Sequence, residues 1–314
     1  MADVADFPIA LLAPFGGEPP PAPAWWLRAM AAAPEASRVP VDGAEIEYLA
    51  WGERGRPGLL LIHGAGGHAG WWRAVAPFLA RDFRVAAFSL SGMGRSGWRP
   101  RYSIDTYADE ALAVCEHAGL TLAGRPAVFG HSFGGRVALR LAAREGARLS
   151  AAAVIDTIIR PIGEAGATGG LWAPRPTKVY PTLAAALARF RLAPPQPCEN
   201  LFLVDAVARE SLGPPRDGGQ GWTWTFDPML WSVLDDPVGA ADDLIATTCP
   251  MALIYAEHSR LMDETRLKSA RSLKPSAPLV VIPAAEHHIM LDQPLALATA
   301  IAGLMAGWFA EDHP

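Results

Sequence analysis

The stretch Val128-Phe129-Gly130-His131-Ser132-Phe133-Gly134-Gly135 places Ser132 in a Gly-x-Ser-x-Gly pattern, after an apolar run and before a helix-forming stretch. A chain that turns sharply from strand to helix at Ser132 needs small residues two positions away on either side, and both are glycine. The turn exposes the serine oxygen at the carboxyl end of a sheet, beside a helix amino terminus whose dipole favours developing negative charge. The chemistry predicted is nucleophilic attack by Ser132 on an acyl carbon.

Such a reaction needs two N–H donors for the tetrahedral oxyanion. Leu59-Leu60-Leu61-Ile62-His63-Gly64-Ala65-Gly66-Gly67 is an apolar strand running into His-Gly and small residues. Its loop offers one donor from Ala65, with Gly66 as the alternative, and Phe133 after the nucleophile offers the other. His63 and His68 are expected to be structural or to line the approach to the serine. The base is expected near the carboxyl terminus, where Leu279 to Ile282 leads into Pro283-Ala284-Ala285-Glu286-His287-His288. A histidine on such a loop can take and return the serine proton, and two stand side by side.

The elements that must position these residues follow from hydrophobic patterning. Ile46 to Trp51 reads as an edge strand, and Leu59 to Ile62, Val85 to Phe88, Pro126 to Phe129, Ala152 to Ile155, Met251 to Tyr255 and Leu279 to Ile282 as further strands. Ile104 to Ala118, Arg136 to Arg144, Leu261 to Ser272 and Leu295 to Phe309 have helical spacing of apolar residues. Alternation of this kind implies an α/β fold with a mostly parallel central sheet and helices on both faces. Residues 1–40, rich in Ala and Pro, read as an extended arm pinned by Trp25 and Trp26. Residues 41–157 and 249–314 read as the core. Residues 158–248 lack a sheet pattern and are dense in aromatics, from Trp172, Tyr180 and Phe190 to Trp222, Trp224 and Trp231, and read as an inserted lid or cap.

Composition narrows the functions. The 314 residues are 51% hydrophobic and 19% charged, ordinary for a globular chain. Lys and Arg number 27 against 32 Asp and Glu, a net charge of -5, which leaves no basic excess for nucleic acid. Three dispersed cysteines, Cys115, Cys198 and Cys249, suggest neither disulfides nor a zinc site. The apolar run Phe7 to Ala13 follows Asp3 and Asp6 rather than positive charge, and no run suits a membrane span, so a cytoplasmic location is expected. Composition leaves a homo-oligomer open.

Taken in order, these motifs resemble the α/β-hydrolase superfamily, in the subgroup with His-Gly oxyanion loops and lid insertions that includes esterases, lactonases, carbon–carbon bond hydrolases, dehalogenases and epoxide hydrolases. Ser89-Leu90-Ser91-Gly92-Met93-Gly94-Arg95-Ser96 is similar to the family's Asp-x-x-Gly-x-Gly-x-Ser turn, with Ser89 in place of Asp. The family's closing pattern puts the histidine seven residues before a proline, and Pro294 then selects His287 over His288. The resemblance also implies an acid after the strand that follows the lid, but Tyr255-Ala256-Glu257-His258-Ser259-Arg260 holds Ser259 where Asp would fall. Some branches carry the acid after the preceding strand, which selects Asp156, 24 residues beyond the serine. Glu257 is the alternative acid.

A serine nucleophile excludes the aspartate-based branches. What remains is hydrolysis of an ester or lactone through an acyl-enzyme, without a cofactor and with a small hydrophobic substrate. The other readings are a carbon–carbon bond hydrolase and a cofactor-free dioxygenase of the same fold. Lid aromatics are expected either to roof an apolar pocket or to form the lid's own core, and Arg189 and Arg191 either to bind a substrate carboxylate or to be solvated.

Overall fold

A computed structural model describes residues 10–159, 177–236 and 238–312. Eight strands form the central sheet: β1 (Glu35–Val41), β2 (Ala44–Trp51), β3 (Gly58–Ile62), β4 (Arg84–Phe88), β5 (Ala127–His131), β6 (Ala151–Ile155), β7 (Met251–Ala256) and β8 (Leu279–Ile282). Their spatial order is β1-β2-β4-β3-β5-β6-β7-β8. β1 and β2 pair antiparallel, as do β2 and β4, and the six strands from β4 to β8 are parallel. This is the α/β-hydrolase fold expected from the sequence.

Strand periodicity splits the apolar residues between two cores. Leu59 and Leu61 of β3 pack on one face, and Leu60 and Ile62 on the other, all fully buried. Runs such as Ala151–Ile155 are apolar throughout because both faces are covered. Helices α2 (Ile104–His117) and α3 (Phe133–Glu145) cover one face. α1 (Ala24–Ala31), α4 (Leu201–Glu210) and α6 (Pro294–Asp312) contribute to the other.

The amino-terminal expectation needs correction. Ala24–Ala31 is helical and Glu35–Val41 is a strand of the sheet, so these stretches belong to regular elements rather than to an arm. The type of turn at Asp42 and Gly43, both at positive φ, returns β1 onto β2, which makes β1 the edge and takes Ile46 to Trp51 off it. Trp25 does pack on Phe202 of α4, with ring centroids 5.8 Å apart, and Trp26 is buried.

Within the segment between β6 and β7, Trp172 lies outside the described residues. Helix α5 (Ala240–Ala246) sits against α3, where Asp243 pairs with Arg136 and Arg140. Its contacts join it to the core layer, although the sequence boundary places it in the insertion. Tyr180 and Phe190 both pack on Trp224. The insertion is tied to the loop after β8: Gln196 donates to Asp292, and Asn200 donates to the carbonyls of Leu291 and Asp292. Among the described residues, no helix is long and apolar enough to cross a membrane.

Candidate active site

The β5-to-α3 turn is tight because its glycines allow backbone to approach backbone. A side chain at Gly130 would strike the Gly134 backbone, and one at Gly134 would strike the carbonyls of Ile62 and His63. Ser132 sits between them at φ +52°, a conformation a non-glycine residue adopts only when its surroundings fix it. Its N–H donates to Ile155 O at 2.8 Å, and its carbonyl accepts from the Thr157 hydroxyl at 3.1 Å. Those two contacts anchor the elbow to the end of β6.

From that position the Ser132 hydroxyl lies 3.1 Å from His287 Nε2, and His287 Nδ1 lies 2.7 Å from Asp156 Oδ2. With the proton on Nδ1, His287 donates to the carboxylate and presents a lone pair to the serine. Asp156 and His287 are buried. The histidine loop is held on both sides, because His131 Nε2–H donates to the His287 carbonyl and the His288 N–H donates to Gln196.

Asp156 is met by donors only. The Ala256 N–H reaches Oδ1 at 3.1 Å, and the Ser259 hydroxyl reaches Oδ2 at 2.6 Å. Ser259 Oγ also accepts from the Leu261 N–H, which leaves its own hydrogen for the carboxylate. The serine standing where the family's aspartate was expected therefore solvates the aspartate one strand away. Glu257 is not brought to this cluster. Its side chain is 50% exposed and accepts from the Ala284 N–H at the edge of the sheet.

Ala65 lines a small cavity with Gly64, Gly67, Trp71, His131, Ser132, Ala193, His287 and His288. Gly66 does not line it and turns at φ +67°. Phe133 opens α3, and its ring packs on Tyr107 and Trp231. Of the insertion's described aromatics, Tyr180 and Phe190 pack on Trp224, Phe202 on Trp25 and Trp26, and Trp231 on Phe133, and none of them lines the cavity; its aromatic wall is Trp71 from the loop after β3. Among the described residues, the insertion supplies no aromatic roof to this cavity. Arg189 is exposed, Arg191 donates to the carbonyls of Ala188 and Phe190, and neither reaches the cavity.

Two histidines of the amino-terminal half are structural. His63 donates through Nδ1 to Gly64 O at 2.7 Å and accepts at Nε2 from the Leu90 N–H, bracing the β3 and β4 loops. Burial pushes its pKa down to about 3, so it is neutral. His68 accepts from the Gly70 N–H and donates to Val207 O of α4, and burial lowers its pKa too. Ser89 donates to Glu47 and accepts from the Ala69 N–H.

The feature missed from sequence is a histidine cluster. His131 and His288 are buried beside His287, with ring centroids 4.7 and 4.9 Å from it. Burial holds both far below the ordinary histidine pKa, and so neutral. The signal was adjacency: His131 precedes the serine and His288 follows the base, so bringing Ser132 to His287 brings all three rings together.

Comparison with known proteins agrees with this architecture. The chain is similar to lipase LipV of Mycobacterium tuberculosis, 32% identical over 115 residues, which is 37% of this chain and 42% of that one. The matched stretch thus spans less than half of that relative's length. Esterase Rv0045c of the same organism is 25% identical over 282 residues, 87% of this chain and 89% of the relative. In fold, the thioesterase domain from the curacin biosynthetic pathway superposes with a TM-score of 0.71 at 24% identity, covering 86% of this chain and 99% of that domain. Residues 59–300 match the alpha/beta hydrolase family model, well over half of the chain, and the protein belongs to that family.

Proposed function

We propose that the protein is a serine hydrolase that cleaves a carboxylic ester or lactone of a small hydrophobic substrate through an acyl-enzyme. The observation that carries this reading is the continuous relay from Ser132 Oγ to His287 Nε2 and from His287 Nδ1 to Asp156. Relatives named as a lipase and an esterase support the same reaction class.

In this reading Ser132 Oγ attacks the carbonyl carbon while its proton passes to His287 Nε2. Asp156 stabilises the imidazolium and fixes the ring's orientation. The N–H groups of Ala65 and Phe133 hold the oxyanion, the second aided by the dipole at the start of α3. His287 then protonates the leaving alkoxide, and the same base activates the water that clears the acyl-enzyme. The pocket beside Ser132 is narrow, walled by Trp71, Ala193, His131 and His288, and favours short acyl groups.

The test is Ser132→Ala. It is expected to abolish hydrolysis of a short p-nitrophenyl ester and labelling by a fluorophosphonate, a loss of about 10⁶-fold in turnover. Retained labelling would remove Ser132 from the reaction.

A further inference from the structure

The histidine cluster has more ring nitrogens than the relay uses. His131 spends Nε2–H on the His287 carbonyl, which leaves Nδ1 as a lone pair with no partner. Neither ring nitrogen of His288 has a partner in hydrogen-bond geometry, although the Pro194 carbonyl lies close enough to favour its charged form. Either tautomer of His288 therefore carries an unused lone pair. Buried polar atoms without partners are uncommon in folded proteins, and these sit on rings packed against His287 and against each other. A side chain at Gly64 would meet His131 Nδ1 at 2.9 Å and Ser132 Cβ at 3.2 Å, which puts that nitrogen beside the serine. One ring nitrogen from each of His131, His287 and His288 lies within 4.8 Å of the other two.

We propose that His131, His287 and His288 form a binding site for a divalent transition-metal ion, and that the ion inhibits the enzyme by occupying the lone pair of His287 Nε2. Three imidazoles suit zinc, copper, nickel or cobalt, and disfavour magnesium and calcium, which take oxygen ligands. Zinc–nitrogen bonds of about 2.0 Å in a tetrahedral site place donors about 3.3 Å apart, so the rings must close by at most about 1.5 Å. His288, with neither ring nitrogen held in hydrogen-bond geometry, is the ring best able to move. The Asp156–His287 contact already has the form of a carboxylate–histidine pair that orients a metal ligand and raises its basicity. Metal binding needs only the cluster; the inhibition rests on the hydrolase reading, in which His287 Nε2 must be free to take the serine proton.

The two claims separate in one set of measurements on the full-length protein. Ser132→Ala, which cannot turn over, is titrated with Co²⁺ and then Zn²⁺, following the visible bands of tetrahedral Co²⁺ and their displacement. One equivalent should bind. His131→Gln and His288→Gln should each weaken binding by at least about 100-fold, the upper end of what losing a mere supporting contact costs, whereas His258→Gln, on the exposed loop, should not. Absence of stoichiometric binding, or binding lost with His258 and kept without His131 and His288, would overturn the site. Should the glutamine variants fail to fold, the zinc K-edge absorption of the Ser132→Ala protein decides, three imidazole ligands being expected and fewer overturning it. In the wild type, the Zn²⁺ concentration that halves ester hydrolysis should match the measured Kd. Stoichiometric binding without inhibition would overturn the inhibitory role alone, and absence of ester hydrolysis before metal is added would overturn the hydrolase reading while leaving the metal site readable.

Discussion

The turns after β6 and β7 leave the sheet side by side, Ile155 pairing with Ile254, yet they carry different chemistry. The first opens with Asp156, fully buried, at φ +46° and bonded to His287. The second carries Glu257, half exposed, and Ser259, whose hydroxyl points back at Asp156. Parallel neighbours end at the same height, so a carboxylate can reach the histidine from either turn. What distinguishes an acid is where its oxygens lie and which donors face them, rather than which strand it follows.

Replacing Asp156 tests that comparison most severely. Everything facing its carboxylate is a donor: His287 Nδ1–H, the Ala256 N–H and the Ser259 hydroxyl. Asp156→Asn must turn an NH₂ toward one of them, and the best compromise forces His287 to carry its proton on Nε2, where it cannot accept from serine. The expected loss in kcat is about 10⁴-fold, read with a short ester at constant pH. A loss below tenfold would mean that the acid lies elsewhere.

Moving the acid sharpens the comparison. Asp156→Ser with Ser259→Asp restores one carboxylate and one hydroxyl to the same space with their strands exchanged. The pair is expected to recover up to about 100-fold in kcat/KM over Asp156→Ser alone, the coupling of groups in direct contact being as large as about 3 kcal/mol. No recovery would show that the β6 turn alone can hold the acid.

A smaller effect is expected from the hydroxyl by itself. Ser259→Ala removes one hydrogen bond to a buried carboxylate, worth about 1.5–3 kcal/mol in stability, of which part reaches the rate because the Ala256 N–H still holds Oδ1. About a tenfold loss in kcat/KM is expected, and Ser259→Thr should keep most of the activity because it keeps the donor.

Much of this site was legible in the sequence because its parts are local. Ser132 and its glycines are set by the geometry of one turn, and the six parallel strands by continuous apolar runs. His287 needed the family's spacing from Pro294, since neighbouring histidines look alike until the fold buries them differently. Asp156 was reached through the gap at position 259, but the use of that gap, a serine donating into the acid, is a contact between strand ends that no local pattern carries. β1 was missed because Glu35–Val41 alternates weakly and contains Pro40, which an edge strand tolerates. The insertion's rings could be read either way, because aromatic density fixes that they pack, and not against what.

Glu257 is the smallest perturbation and the sharpest control. It lies two residues before Ser259 on the same turn, so any general disturbance of that turn should follow its replacement too. Its carboxylate accepts from the Ala284 N–H and lies 3.7 Å from the exposed His258 ring, at a solvent-facing edge where charge contributes little. Glu257→Gln retains an acceptor for that N–H. Its kcat/KM is expected within about twofold of wild type, as for a surface charge, with thermal stability likewise little changed. A fall of 100-fold would transfer the acid's role across the two turns and leave Asp156 as a buried support for the loop.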